Sequence, residues 1–215
     1  LWKELKIGLP TAGENMAYSL AQTILLSFIN PMGPIAVNAK VFAQSLMSFN
    51  VSFSNSVAMS NQIIPGPLIG AEKENAAYRR VMRSLLISLP ITLVIASLNC
   101  FLSPWTLQIF GADGEVINLA QKVMIVGIFM ELGRTTNLIV IGSLKASGDY
   151  IFPVIVGMIS MWIVGISVGY TGGVIFGLGA AGVFMGTMAD ECLRGIIVVL
   201  RWISGKWRNK SIVER

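Results

Sequence analysis

No histidine occurs among the 215 residues of this chain. That removes imidazole as a general base and as the commonest zinc ligand. Charge is scarce too: Asp, Glu, Lys and Arg make up 13% of residues, where soluble domains carry about 25%. Cys100 and Cys192 are the two cysteines. Both lie inside apolar runs, so buried free thiols are expected and a disulfide framework is not. There is no Walker loop, nucleophile elbow or metal-binding motif. Gly177-Leu178-Gly179 lacks the strand context of a nucleotide fingerprint. An enzyme is not expected, and neither is a bound cofactor or metal.

Apolar sequence is what the chain has in excess, with 54% hydrophobic residues. The apolar runs recur along its whole length, which excludes a single cleavable signal sequence. A membrane-spanning helix needs about 20 mostly apolar residues. Six stretches qualify: 7–29, 35–64, 84–102, 116–144, 150–169 and 178–203. Pro65-Gly66-Pro67 stops the second, Pro90 is expected to kink the third, and Pro153 falls in the first turn of the fifth. The expected fold is an all-α membrane protein, a six-transmembrane-helix bundle forming one lobe over residues 1–215. The chain opens at Leu1, and we read it as part of something longer.

The net charge of +5 reads as membrane topology and not as nucleic-acid binding. Lys3 and Lys6 precede the first helix. Lys73, Arg79, Arg80 and Arg83 follow the second, Lys145 follows the fourth, and Arg201, Lys206, Arg208, Lys210 and Arg215 close the chain. The connections 30–34, 103–115 and 170–177 carry no Lys or Arg. With six spans every basic end falls on one side, and the positive-inside rule makes that side cytoplasmic, with both termini there. Trp2, Trp105, Trp202 and Trp207 sit near helix ends, as interfacial anchors do. Gly165 and Gly169 on the fifth helix, and Gly182 and Gly186 on the sixth, have the spacing that lets helix backbones approach closely.

Charged residues inside a membrane are costly, at least about 2.5–3.5 kcal/mol each on insertion scales, and are functional by default. Glu14 lies in the first helix beside Asn15. Glu131 and Arg134 lie in the fourth, with Asn137 one turn on, and Asp190, Glu191 and Arg194 lie in the sixth. The spacing sets Glu131 against Arg134, and Asp190 or Glu191 against Arg194. One reading is internal neutralisation, with Arg134 and Arg194 as structural ion-pair partners. The other makes Glu14, Glu131, Asp190 and Glu191 sites for a coupling cation or proton. Glu14 has no basic neighbour nearer than Lys6, and Asp190 and Glu191 share one local arginine, which leaves carboxylate in excess. On the second helix Asn38, Ser45, Ser48, Ser52, Asn55 and Gln62 recur at helical spacing. They read as a cavity wall, extended by Asn15 and Asn137, or as hydrogen-bonded helix packing. Lys40 is expected to snorkel near the outer end.

Four stretches, in order, resemble the multidrug and toxic compound extrusion (MATE) transporter family. Leu1-Trp2-Lys3-Glu4 through Gly8-Leu9-Pro10-Thr11-Ala12-Gly13-Glu14-Asn15 resembles the start of that family's seventh helix. Gly70-Ala71 with Ala76-Ala77-Tyr78-Arg79-Arg80 resembles the loop after the eighth. Glu131-Leu132-Gly133-Arg134-Thr135-Thr136-Asn137, with Ser143 through Asp149 and Phe152-Pro153, resembles the tenth helix and its following turn. Asp190-Glu191-Cys192-Leu193-Arg194-Gly195, with Arg201-Trp202 and Lys206-Trp207, resembles the twelfth and the tail.

The resemblance implies the C-terminal six-helix lobe of a twelve-helix transporter, partnered by an N-terminal lobe. It also implies export of small organic, often cationic, compounds across the cell membrane in exchange for Na+ or H+. By helix, Glu14 and Glu131 are the nearest counterparts of acids that bind the cation in some branches. Pro65 and Pro67 depart from the family pattern and are expected to stiffen or redirect their loop. Asn30 stands near the end of a helix whose first-lobe counterpart often has an acid. Two alternatives stay open: a lipid-linked oligosaccharide flippase of the same superfamily, and a non-transporting membrane scaffold.

Overall fold

Each apolar stretch folds as one long helix. The structure, a computed structural model, describes residues 2–63, 65–208 and 210, without the side chains of residues 2–7. The expectations for Trp2, Lys3, Lys6, Ile64 and Arg215 lie outside the described side chains. The helices are α1 (Trp2–Ile29), α2 (Pro34–Ile63), the short α3 (Pro65–Gly70), α4 (Glu74–Ile109), α5 (Gly114–Ala146), α6 (Ile151–Ile175) and α7 (Gly179–Ile203). No strand occurs among the described residues. By length and composition, α4, α5 and α6 are apolar enough to cross a membrane. α1, α2 and α7 have 28, 30 and 25 residues. They are long enough too, but they carry most of the polar side chains that line the site below.

Two helices outrun their expected limits. α4 has 36 residues and begins ten residues before the apolar window. Its first turns are amphipathic: Ala77, Val81 and Leu85 are buried at four-residue spacing while Arg79, Arg80 and Arg83 are exposed. At its far end Ser103 and Leu107 are buried, so helix replaces the expected loop as far as Ile109. α6 reaches Ile175 through π-helical turns at Ser160–Gly165 and Thr171–Ile175. Pro65, buried, starts α3, so the proline-rich departure forms a helical corner.

α5 is the central helix and packs against α2, α4 and α7. Buried hydroxyls fasten three of these together: Thr135 Oγ1 lies 2.7 Å from Ser54 Oγ of α2 and 3.0 Å from Thr92 Oγ1 of α4. Asn99 Nδ2 donates to Asn50 Oδ1 over 3.1 Å, a second α4–α2 bond. On the other side α7 leans on α6 through the expected glycines. A Cβ at Gly186 would stand 2.7 Å from the Gly169 Cα and overlap the Gly165 carbonyl. Only hydrogen fits there. α1 packs on α6 and α7 and meets α2 chiefly at the tight turn Asn30–Met32. The two helices therefore diverge and leave a wedge between them.

The basic ends gather at one end of the bundle. Arg201 Nε donates to Asp149 Oδ2 over 2.8 Å, and Lys210 Nζ donates to Asp149 Oδ1 over 2.7 Å. Arg208 lies 3.8 Å from Glu74. Here the tryptophan reading needs correction. Trp105 is exposed, as an anchor should be, but Trp202 and Trp207 are buried. Their rings stack at 4.2 Å, and Trp207 Nε1 donates to the Trp202 carbonyl over 2.9 Å. The tail folds back onto Ala77 and Val81 of α4, where the stacked rings gain more apolar contact than lipid headgroups offer. The thiols also differ from expectation: Cys100 and Cys192 are free but only half-buried.

Candidate functional site

The wedge between α1 and α2 is closed behind by α5 and α7. It holds two polar compartments with Tyr18, Val51 and Arg134 in their shared wall. The compartment nearer the basic end has a volume of about 320 Å³. Glu14 and Asn15 of α1, Asn55 and Gln62 of α2, Asn137 and Lys145 of α5, and Glu191 and Arg194 of α7 line it. The compartment nearer the Asn30–Met32 turn has about 330 Å³, with Gln22, Lys40, Gln44, Ser48 and Thr187 among its walls.

These positions follow from helical periodicity. Glu14, Tyr18 and Gln22 recur every four residues on α1. On α2, Lys40, Gln44 and Ser48 do the same, and Ser48, Asn55 and Gln62 recur every seven. Asn38, Ser45 and Ser52 form a neighbouring stripe about 60° round the helix. They were expected in the cavity wall, but all three lie outside the two compartments, and like Ser48, Asn55 and Gln62 they are exposed in this lobe. Ser45 and Ser52 instead donate to the Val41 and Ser48 carbonyls, both over 2.9 Å.

The acids form two groups. Glu14 is not isolated, as the sequence suggested: Lys145 Nζ, 131 residues away, donates to its Oε2 over 3.0 Å. Gly157 of α6 leaves room for this carboxylate and for Arg194, since a Cβ there would stand 3.0 Å from Glu14 Oε1 and 3.3 Å from Arg194 Nη1. The second group joins α5 to α7. Arg134 Nη1 donates to Glu131 Oε1 over 2.7 Å, and Arg134 Nε donates to Glu191 Oε1 over 3.4 Å. Arg194 Nη2 donates to Asp190 Oδ2 and lies 3.7 Å from Glu191 Oε2. Asn137 Nδ2 completes the group by donating to the Glu191 carbonyl over 2.8 Å and to Glu191 Oε2 over 2.7 Å.

Three carboxylates thus share two guanidinium groups, which leaves this cluster one negative charge in excess. Glu131 and Asp190 are completely buried behind the cavity wall, and Glu131 Oε2 has no hydrogen-bond partner among the described residues. Glu191 and Glu14 face the cavity. A buried polar oxygen without a donor is unfavourable by about 1–3 kcal/mol. A proton or small cation at the cluster would supply both the missing partner and the missing charge. Sequence reasoning missed Tyr18, Gln22, Gln44 and Thr187, though Tyr18 and Gln22 continue the Glu14 spacing and Gln44 that of Lys40. Lys145 was read as topology alone, because no local pattern ties it to Glu14.

A helical membrane bundle with a charged, polar-lined wedge open along one face is the form of a transporter lobe. The family model for MatE matches residues 10–171, and the chain belongs to that family. The relative named "Uncharacterized transporter YisQ" from Bacillus subtilis is 38% identical over 212 residues, which covers 99% of this chain and 47% of the relative. "Probable multidrug resistance protein NorM" from Thermotoga maritima is 28% identical over 223 residues, covering 98% of this chain and 46% of that protein. The fold is that of the Vibrio cholerae MATE transporter VcmN in its bent form. The TM-score is 0.85 at 16% sequence identity, over 96% of this chain and 47% of that one. The chain spans about half the length of the curated relatives it matches, and its six long helices form one lobe of that architecture.

Proposed function

We propose that this chain is half of a secondary active antiporter, which exports organic, often cationic, compounds from the cell in exchange for Na+ or H+. A second six-helix lobe would cover the open face of the wedge. The observation that carries the reading is the cluster of three carboxylates on two guanidinium groups at the wall of a polar cavity. Its single excess charge matches one monovalent cation. Glu191, which faces the cavity and bridges both arginines, is the group we assign to ion loading. Glu14, held by Lys145 on the opposite wall, senses the same space. Glu131 and Asp190 hold the arginines in place.

Loading an ion changes the charge of the α5–α7 cluster, and so the balance between outward- and inward-open arrangements of the two lobes. The basic ends gathered at one side of the bundle support a cytoplasmic position for both termini of the lobe. A flippase for lipid-linked oligosaccharides calls for a cavity dense in free basic groups. Here both arginines and Lys145 are held by carboxylates, which leaves Lys40 as the one basic cavity residue without an ion pair among the described residues. That weighs against this alternative. The test is transport of ethidium by the two-lobe protein in proteoliposomes. An imposed Na+ or H+ gradient should drive accumulation, and flux indifferent to both gradients would reject antiport.

A further inference from the structure

The compartment nearer the Asn30–Met32 turn differs in charge: the other mixes acidic and basic side chains, and this one has basic side chains alone. None of its lining residues is acidic, and two, Lys40 and Arg134, are basic. Lys40 is only half-buried, lies in the second turn of α2 and has no ion-pair or hydrogen-bond partner among the described residues. It lines the space shared with Gln22, Gln44 and Thr187. Arg134 spends its Nη1 and Nε on Glu131 and Glu191, but its Nη2 reaches only the Met130 sulfur, at 3.6 Å. Thioether sulfur is a weak acceptor, so this donor is still available.

An uncompensated ammonium in a partly dehydrated site is unfavourable unless it meets an anion. The neighbouring side chains of Met47, Met130 and Phe184 offer apolar area on the same walls. Inorganic anions would leave that area unused. A volume of about 330 Å³ lies at the small end of organic-ligand sites.

We infer that this compartment binds the anionic group of an amphipathic organic molecule, a carboxylate or sulfonate held by Lys40 with its apolar body on Met47, Met130 and Phe184. The inference rests on the transporter reading and refines it: compounds that carry an anionic group, alone or opposite a cationic one, are among those exported.

The test is equilibrium binding of 2-naphthoate and of its neutral isostere 2-naphthamide to the purified two-lobe protein, without any gradient. A charge-assisted hydrogen bond predicts a preference for the carboxylate of about tenfold. Lys40→Gln should bring that preference to within about twofold and leave amide binding in place, and Lys40→Arg should keep it. Gln44→Glu, one turn along α2, should occupy Lys40 internally and abolish the preference without removing the lysine. Equal binding of the two probes by the unsubstituted protein would overturn the inference. So would a carboxylate preference that survives both Lys40→Gln and Gln44→Glu, or stronger carboxylate binding in Lys40→Gln, the sign of a lysine already paired across the lobes. Because no gradient is used, a failure of ion coupling in proteoliposomes leaves this result standing. Conversely, loss of the Lys40 effect leaves coupled ethidium transport untouched.

Discussion

Arg194→Gln removes one of the two cations that hold three buried carboxylates. Arg194 and Asp190 have side-chain exposures of 9% and 0%, so solvent cannot take the guanidinium's place. Breaking a buried pair by removing one partner costs about 3–5 kcal/mol, and here Glu191 loses a neighbour as well. Asp190→Asn is milder, because Arg194 keeps Glu191 at 3.7 Å; we expect a loss of about 1–3 kcal/mol. In the double variant two neutral amides face each other, and the Asp190 charge that Arg194→Gln alone leaves unmatched is gone, though Glu191 still lacks Arg194. Its loss should fall short of the sum of the singles by about 2 kcal/mol, well beyond the 0.3–0.5 kcal/mol or so typical of independent sites. Reversible unfolding in mixed micelles, followed by circular dichroism for all four proteins, measures this interaction energy. Strict additivity would refute the claim that Arg194 and Asp190 are one electrostatic unit.

Two further predictions concern the frame around the site. Gly186→Val forces α6 and α7 apart where a Cβ already meets the Gly169 backbone, and overpacking of this kind costs about 1–3 kcal/mol; a lowered melting temperature checks it. Trp207→Ala removes a stacked, fully buried ring. It should cost about 3–5 kcal/mol and expose the tail after Ile203 to protease, which limited proteolysis reads directly.

The helices themselves were legible in the apolar runs, because a spanning helix must bury its backbone hydrogen bonds within about 20 apolar residues. The helix extensions were less so. The Glu74–Arg83 segment is amphipathic, and its charges masked a helix that the buried Ala77, Val81 and Leu85 make plain. Within the site, pairs inside one helix followed from spacing: Glu131 with Arg134 and Asp190 with Arg194 both meet as the i, i+3 and i, i+4 rule requires. Pairs between helices did not. Nothing local ties Glu14 to Lys145 or Glu191 to Arg134, since those contacts depend on how α1 and α7 approach α5. For the same reason the sequence showed a polar α2 without showing which of its residues line the two compartments of this lobe. Trp202 and Trp207 were misread because proximity to a helix end does not distinguish a lipid-facing ring from one covered by a folded-back tail.

The central claim is that the α5–α7 acid cluster carries the exchanged ion, and ion release on substrate binding tests it most directly. Ethidium should be added to the purified two-lobe protein in weakly buffered solution, with protons followed by a pH dye and Na+ by a selective electrode. We predict release of about one H+ or Na+ per protein, lost in Glu191→Gln and retained in Arg208→Gln, whose partner Glu74 lies outside the cavity. Ethidium binding with no ion released, or release that persists undiminished in Glu191→Gln, would contradict it.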